Sequence, residues 1–415
     1  MSTDGRNSSI TVDSIAPLAN DGHQGFGVWV RSVGVSATRS RWLMGATIAG
    51  AALVASTWVG IRTLPWFGPM LADGMRQVVG AENVTKLEEV VAHVEDRVQA
   101  ATSSGTVRSL SDSTPPELMV AAPATTNVTP SVSDNRPPNA KALYPGVASR
   151  EDGVWQAVPV RGASGPVLYR TMLHPDAERA YSELFVFALD MTQLKVQAVA
   201  GSIEPKSESP QLGVPRPGLV PEADRDKLVA AFNGGFKAEH GKFGMMVAGH
   251  QLLAPRPRSC TFAEHKDGTL AIATWTAISA DPEAFSWWRQ TPGCMLENGA
   301  LHPGLQSEDS KNWGATLEGK TVIRRSAVGL GADQRTLYVG ISNSTTARAL
   351  ALGMKQVGAT SVAQLDVNHS FPRFLLYTAG PTGLTAQGAV KGLLYEKDEY
   401  LGRASTRDFF YVTLR

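Results

Sequence analysis

Apolar residues are distributed along this chain in five ways, and each predicts a different element. From Met1 to Arg41 they are thinly scattered among Ser, Gly and Asp. That composition predicts a disordered tail. From Trp42 to Ile61 the chain reads WLMGATIAGAALVASTWVGI, apolar on every face and without a charge. Roughly 20 such residues match one bilayer crossing, and Trp42 and Trp58 stand near its ends as interfacial aromatics do. A buried soluble helix or a cleaved signal peptide are the alternatives. Flanking Arg41 and Arg62 and the long polar stretch ahead favour an uncleaved transmembrane anchor. From Val78 to Val98 the apolar positions Val79, Leu87, Val90, Val91, Val94 and Val98 recur at helical spacing, with Glu88, Glu89, Glu95 and Asp96 between them. This predicts an amphipathic helix with its acids in water, within a juxtamembrane stalk over 62–100. Self-association along the apolar side is the other use of such a face.

From Ala101 to about Lys141 large apolar residues almost vanish, in favour of Ser, Thr, Pro, Ala and Asn (SDSTPPEL, APATTNVTPS, DNRPPN). A flexible linker over 101–142 is expected. The fifth regime runs from Leu143 to Arg415. Here short β-rich runs alternate with Gly, Pro and Asp: Val167–Leu173, Leu184–Met191, Leu194–Ala200, Leu228–Phe232, Met245–Leu253, Thr269–Trp275, Val322–Leu330, Thr336–Ser342, Thr360–Leu365 and Phe409–Leu414. One clear helix, Thr346 to Val357, carries Ala347, Leu350, Ala351, Met354 and Val357 on one face and stops at Gly358. Many strands with few helices predict an α+β domain over 143–415, built on a large, mainly antiparallel sheet.

Composition narrows the chemistry. The 415 residues are 43% hydrophobic and 19% charged, with formal net charge +1, so no bulk charge draws the chain to nucleic acid. Cys260 and Cys294 are either one bridge in an oxidising compartment or two buried thiols. No paired Cys/His spacing suggests zinc, and GxGxxG, P-loop and GxSxG motifs are absent. Arg31, Arg39 and Arg41 precede the apolar span, which favours a cytoplasmic N-terminus, an inner-membrane location and a C-terminal domain that is periplasmic or extracellular.

The densest chemistry lies in GATSVAQLDVNHSFPRF, Gly358 to Phe374, where a buried-strand pattern ends in Asp366, Asn368, His369 and Ser370. Strand ends often carry function because the sheet holds them rigidly. The plainer reading is a polar turn capped by Asp366, with His369 packed sideways. A Ser–His–Asp reading of Asp366, His369 and Ser370 is poorly supported, because triads assemble from distant segments.

Four ordered stretches bear on the choice: Ala231-Phe232-Asn233-Gly234-Gly235-Phe236, GCMLENGAL from Gly293 to Leu301, Arg325-Ser326-Ala327-Val328-Gly329-Leu330 with Asp333 following, and the helix leading to Leu365-Asp366. In order and spacing this set resembles the phosphodiester glycosidase family over roughly Val167 to Arg415. The resemblance implies an enzyme that splits a sugar from a phosphodiester, with a carbohydrate or sugar-phosphate substrate and an envelope setting. It departs at one place. Where the family has DGGGSS, this chain has Asp366-Val367-Asn368-His369-Ser370-Phe371, so the three glycines are lost.

Such a reaction must hold a phosphate charge and serve the anomeric carbon. Carried onto this chain, the resemblance gives Arg325 the phosphate, as a guanidinium can grip it with two parallel bonds. It gives Asn233, Gly234, Gly235 and Asn368 substrate contacts, with the two glycine N–H groups turned to the same anion. Asp366 is the expected base, oxocarbenium stabiliser or ligand of a divalent cation. His369 is a candidate acid, and Ser370 matches a serine of the motif. Lys237, Glu239 and His240 sit where a site's rim or a solvated loop would be. The bland counterparts are an Arg325 paired inside the core and a hairpin turn at Asn233 to Gly235. A non-catalytic glycan- or partner-binding module of the same fold is the alternative function, favoured by the lost glycines.

Overall fold

The computed structural model of the chain describes residues 52–53, 55–64, 66–103, 107–115, 135–207, 215–306, 312–314, 321–367, 369–380 and 383–415. It forms two units, 1–56 and 57–415. The expected tail lies outside the described residues, as does about half of the expected anchor. Residues 55–63 are helical, and no described helix is long and apolar enough to cross a membrane.

Three antiparallel sheets make up unit 57–415. The largest has eight strands, with Leu184–Asp190, Thr336–Thr345, Ile323–Gly331 and Ala359–Gln364 side by side at its centre. A five-stranded sheet orders Gly383–Gly388, Phe374–Gly380, Leu228–Asn233, Phe409–Leu414 and Leu194–Val199. The third orders His250–Leu253, Met245–Val247, Phe285–Thr291, Cys260–His265 and Leu270–Thr274. Alternation along each strand sends one set of side chains into a shared core. Phe187, Val328 and Val339 of the large sheet meet Phe232, Phe374 and Phe410 of the second and Phe262 and Trp287 of the third. Phe374 stacks on Phe187 at 4.0 Å, and Phe232 on Phe410 at 5.2 Å. Truncating Phe374 to alanine would cost on the order of 3–5 kcal/mol.

The helix Ala347–Gln356 covers the far face of the large sheet, laying Leu350, Ala351 and Met354 beside Leu184, Val186 and Ala327. Thr346 caps it, its hydroxyl accepting the Ala349 N–H at 3.1 Å, and Gly358 ends it at φ +108°. The expected α+β class, mainly antiparallel with few helices, therefore holds. Cys260 and Cys294 are joined in a disulfide, Cα to Cα 4.6 Å, inside the main core.

Three expectations are corrected. The expected amphipathic helix, Val78 to Val98, lies almost wholly within one helix, Ala81–Thr102, which another, Phe67–Val79, precedes across Gly80, whose φ is +85°. Its orientation is the reverse of the expected one. Leu87, Val90, Val94 and Val98 are exposed, whereas Val84, Glu89 and Ala92 are buried. Ion pairs explain this, since Arg179 holds Asp96 and Arg62 holds Glu95. Thus 62–100 packs on the domain instead of standing off as a stalk. Both ends of the expected linker are also packed. Leu110 is buried in the main core, Arg108 pairs with Glu183 at 2.7 Å, and Asn135 donates to Asp190 at 2.8 Å.

Candidate functional site

The end of strand Leu228–Asn233, the end of Ala359–Gln364 and the start of Phe409–Leu414 meet at one edge of the main core. Asn233 Nδ2 donates to Ser326 Oγ at 3.0 Å, and Ser326 Oγ donates to the Asp366 carbonyl at 3.1 Å. The Asp366 N–H donates to the Gly234 carbonyl at 3.0 Å. Three of the separated motifs are therefore tied together through Asn233, Gly234, Ser326 and Asp366.

The two glycines serve another purpose than the one expected. Their N–H groups donate to Asp408, Gly234 to its carbonyl at 2.9 Å and Gly235 to Oδ2 at 2.8 Å. A Cβ on Gly234 would lie 2.2 Å from Asp408 Oδ2, and one on Gly235 would lie 2.8 Å from Arg289 Cζ. The turn is glycine because a buried ion pair presses against it. Arg289 Nε and Nη2 bind Asp408 at 2.8 and 3.2 Å, and its remaining donors reach the carbonyls of Phe236, Phe243 and Gln290.

Asp366 is 3% exposed. Its Oδ1 accepts the Val367 N–H at 2.9 Å and its Oδ2 accepts Arg407 Nη2 at 2.6 Å. Burial pushes its pKa up, and the Arg407 charge and the Val367 N–H only partly oppose this. Arg407 also lies 4.4 Å over the Phe371 ring, and its Nε has no partner among the described residues.

Arg325 sits apart from this cluster. It is fully buried, and its nitrogens donate to the carbonyls of Trp313, Thr321 and Thr345 and to Gln364 Oε1. Burial lowers its pKa to about 9. It ties Trp313 and Thr321 to the sheet, on the helix-covered side where Trp313 and Ala327 pack. Arg325 was expected to grip phosphate; in the structure its donors serve protein oxygens.

His369 accepts a bond from Arg62 Nη1 at Nε2, 3.2 Å away. Burial first, then the charges of Arg324 and Arg62, lowers its pKa to about 3. Burial and the neighbouring guanidinium charges thus disfavour the protonated form that the expected acid would use. Asp366, His369 and Ser370 do not form a triad, since Asp366 bonds Arg407 and His369 bonds Arg62. Ser370 is buried, and its carbonyl accepts Arg373 Nη2 at 2.7 Å. Asn368 lies outside the described residues. Among the described residues no group of three or more His, Cys, Asp or Glu gathers as a metal site would.

The two helices form the rim. Arg62 reaches His369, and a Cβ on Gly68 would lie 3.2 Å from Ser370 Oγ. Asp73 binds Lys237 at 2.7 and 3.0 Å. Sequence reasoning missed Arg289, Arg324, Arg407 and Asp408. The available signals were a charged pair, Arg407-Asp408, heading an apolar strand, and an arginine inside the aromatic run FSWWRQT.

No protein-family profile matches the chain, and no curated protein matches it. Among solved structures, the zebrafish N-acetylglucosamine-1-phosphodiester alpha-N-acetylglucosaminidase catalytic domain, auto-inhibited by its pro-peptide, is similar at TM-score 0.39 and 16% identity. That match covers 63% of this chain and 88% of the other. A hypothetical protein from Synechocystis is similar at TM-score 0.31 and 9% identity, covering 63% of this chain and 62% of the other. A putative exported protein from Burkholderia pseudomallei is similar at TM-score 0.26 and 11% identity, covering 56% and 74%.

Proposed function

We propose that this chain is a membrane-anchored envelope hydrolase that releases a sugar from a sugar-phosphodiester, with Asp366 serving the anomeric centre. The observation that carries the reading is the state of Asp366. It is a buried carboxyl with a raised pKa, fixed at a strand end by the Asn233–Ser326 link and faced by an arginine. Such a group can hold a proton and deliver it to a leaving oxygen. In the reaction, water adds to the anomeric carbon and the carbon–oxygen bond to phosphorus breaks on the sugar side. The departing phosphate oxygen takes the Asp366 proton, and the attacking water, once bonded to carbon, releases one of its own protons to solvent, from which Asp366 is reprotonated. Arg407 steadies the carboxylate that remains. The motif resemblance supplies the substrate class.

The uncharged run Trp42 to Ile61 supports a single-span anchor with the domain outside the cytoplasm, and the Cys260–Cys294 bridge suits an oxidising compartment. Protease added to intact spheroplasts should then degrade the domain, and full protection would reverse the orientation. A second reading, a glycan-binding module without turnover, is favoured by one observation: both Asp366 oxygens are already engaged by protein donors. Release of free sugar from a panel of UDP-sugars and sugar-phosphate diesters separates the two. Turnover in the wild type, reduced on the order of 100-fold in Asp366→Asn, is the hydrolase outcome. A wild type that binds glycan yet releases no sugar from the whole panel is the module outcome.

A further inference from the structure

Buried guanidinium groups in unit 57–415 mostly meet carboxylates. Arg289 meets Asp408, Arg407 meets Asp366, and Arg373 meets Glu399 at 2.6 Å. Arg325 lacks an acid, but each of its nitrogens has an acceptor. Arg324 differs. It is 6% exposed and its Nη atoms donate to the carbonyls of His369 and Gly392. Its Nε has no partner among the described residues, and no described carboxylate forms an ion pair with it. Arg62 and Arg373 are close enough to repel it. A buried cation without an anion is strongly unfavourable.

His369 adds a second orphan. Arg62 can only donate, so Nε2 of His369 must present its lone pair. A neutral imidazole then carries its hydrogen on Nδ1, and that buried atom has no partner among the described residues. Two buried N–H donors therefore sit in one positively charged neighbourhood, and both need an acceptor that also brings negative charge.

We propose that Arg324 Nε–H and His369 Nδ1–H form an oxyanion site for the phosphate group of a phosphodiester, with Arg62 as the positioning residue that fixes the His369 tautomer. This rests on the hydrolase reading for its choice of phosphate, and it moves the phosphate contact from Arg325 to the neighbouring Arg324. Arg62 comes from the segment ahead of helix Phe67–Val79, so the site is complete only with that segment in place.

The test uses the full-length chain in detergent, labelled with 15N-histidine and titrated with dimethyl phosphate, inorganic phosphate or acetate against chloride of equal ionic strength. Dimethyl phosphate should bind saturably and shift the His369 Nδ1 resonance. Arg324→Gln should weaken binding by about 10-fold or more. Arg62→Gln, which also releases Glu95, should weaken it less and mix the His369 tautomers. No saturation in the wild type, or unchanged affinity in both variants, would overturn the site. Acetate binding as tightly as dimethyl phosphate would overturn the phosphate assignment, as would binding of inorganic phosphate alone. Saturable diester binding without sugar release leaves this site standing and removes the hydrolase. Sugar release undiminished in Arg324→Gln does the reverse.

Discussion

Two buried charge clusters at the same edge of the core are built on opposite terms. Around Asp408 every charge is answered. Arg289 forks onto its carboxylate, Gly235 donates into the same carboxylate and Gly234 to the Asp408 carbonyl, and the spare guanidinium donors end on carbonyls. Around His369, Glu95 answers Arg62 and Glu399 answers Arg373, but no described carboxylate pairs with Arg324, and two donors end on nothing described. A balanced cluster holds the fold by itself. An unbalanced one is held by the fold, at a cost, and that asymmetry separates scaffold from site more sharply than burial does, since both clusters are buried.

If the Asp408 cluster is scaffold, breaking it should give the largest loss of stability. Asp408→Asn leaves Arg289 buried and half-paired, and should cost about 3–5 kcal/mol in urea unfolding. A loss under about 1 kcal/mol would erase the contrast between the clusters. Opening the Cys260–Cys294 bridge by double serine substitution should cost about 2–4 kcal/mol, because it frees a loop with a sequence separation of 34 residues without touching either cluster. Two free thiols in denatured, unreduced protein would show that the bridge is not formed.

The pH dependence sharpens the same comparison. His369 has a folded pKa of about 3 against 6.5 for the free side chain. The unfolded chain therefore binds a proton that the folded chain refuses, so stability falls as pH drops through the window from about 6.5 toward about 3. His369→Gln should remove that part of the acid lability, seen as a flatter plot of stability against pH. Asp366 has the opposite sign. Its raised folded pKa means that stability falls as pH rises above the ordinary aspartate range, and Asp366→Asn should remove that slope.

Much of the scaffold was legible in the sequence and most of the site was not. The strands over 167–200 and 322–342 read correctly because they are short, β-rich apolar runs whose bounding turns carry Gly, Pro or Asp. The helix Ala347–Gln356 read correctly because Thr346 and Gly358 punctuate it. Strand Phe285–Thr291 was not legible, since Trp287, Trp288, Arg289 and Gln290 are all buried and no alternation survives. Strand Phe374–Gly380 follows too closely on the polar stretch after Asp366 to stand out. In the site, Asn233, Gly234 and Asp366 were legible as motif, and the structure brings them together. The choice between Arg324 and Arg325 was not. Adjacent residues on a strand face opposite ways, and only the fold says which face holds the helix and which holds His369. The amphipathic segment misled because its acids find Arg62 and Arg179 from elsewhere in the chain, a long-range fact that no local pattern contains.

The most direct measurement of the central contrast is the unfolding stability of Arg324→Gln with and without dimethyl phosphate, beside the wild type. Removing an unanswered buried cation should leave stability within about 1 kcal/mol of wild type when no phosphate is present. Dimethyl phosphate should then stabilise the wild type in a saturable way and leave Arg324→Gln unmoved. A loss in Arg324→Gln as large as that of Asp408→Asn, with equal phosphate response in variant and wild type, would make Arg324 scaffold like its neighbour and contradict the account.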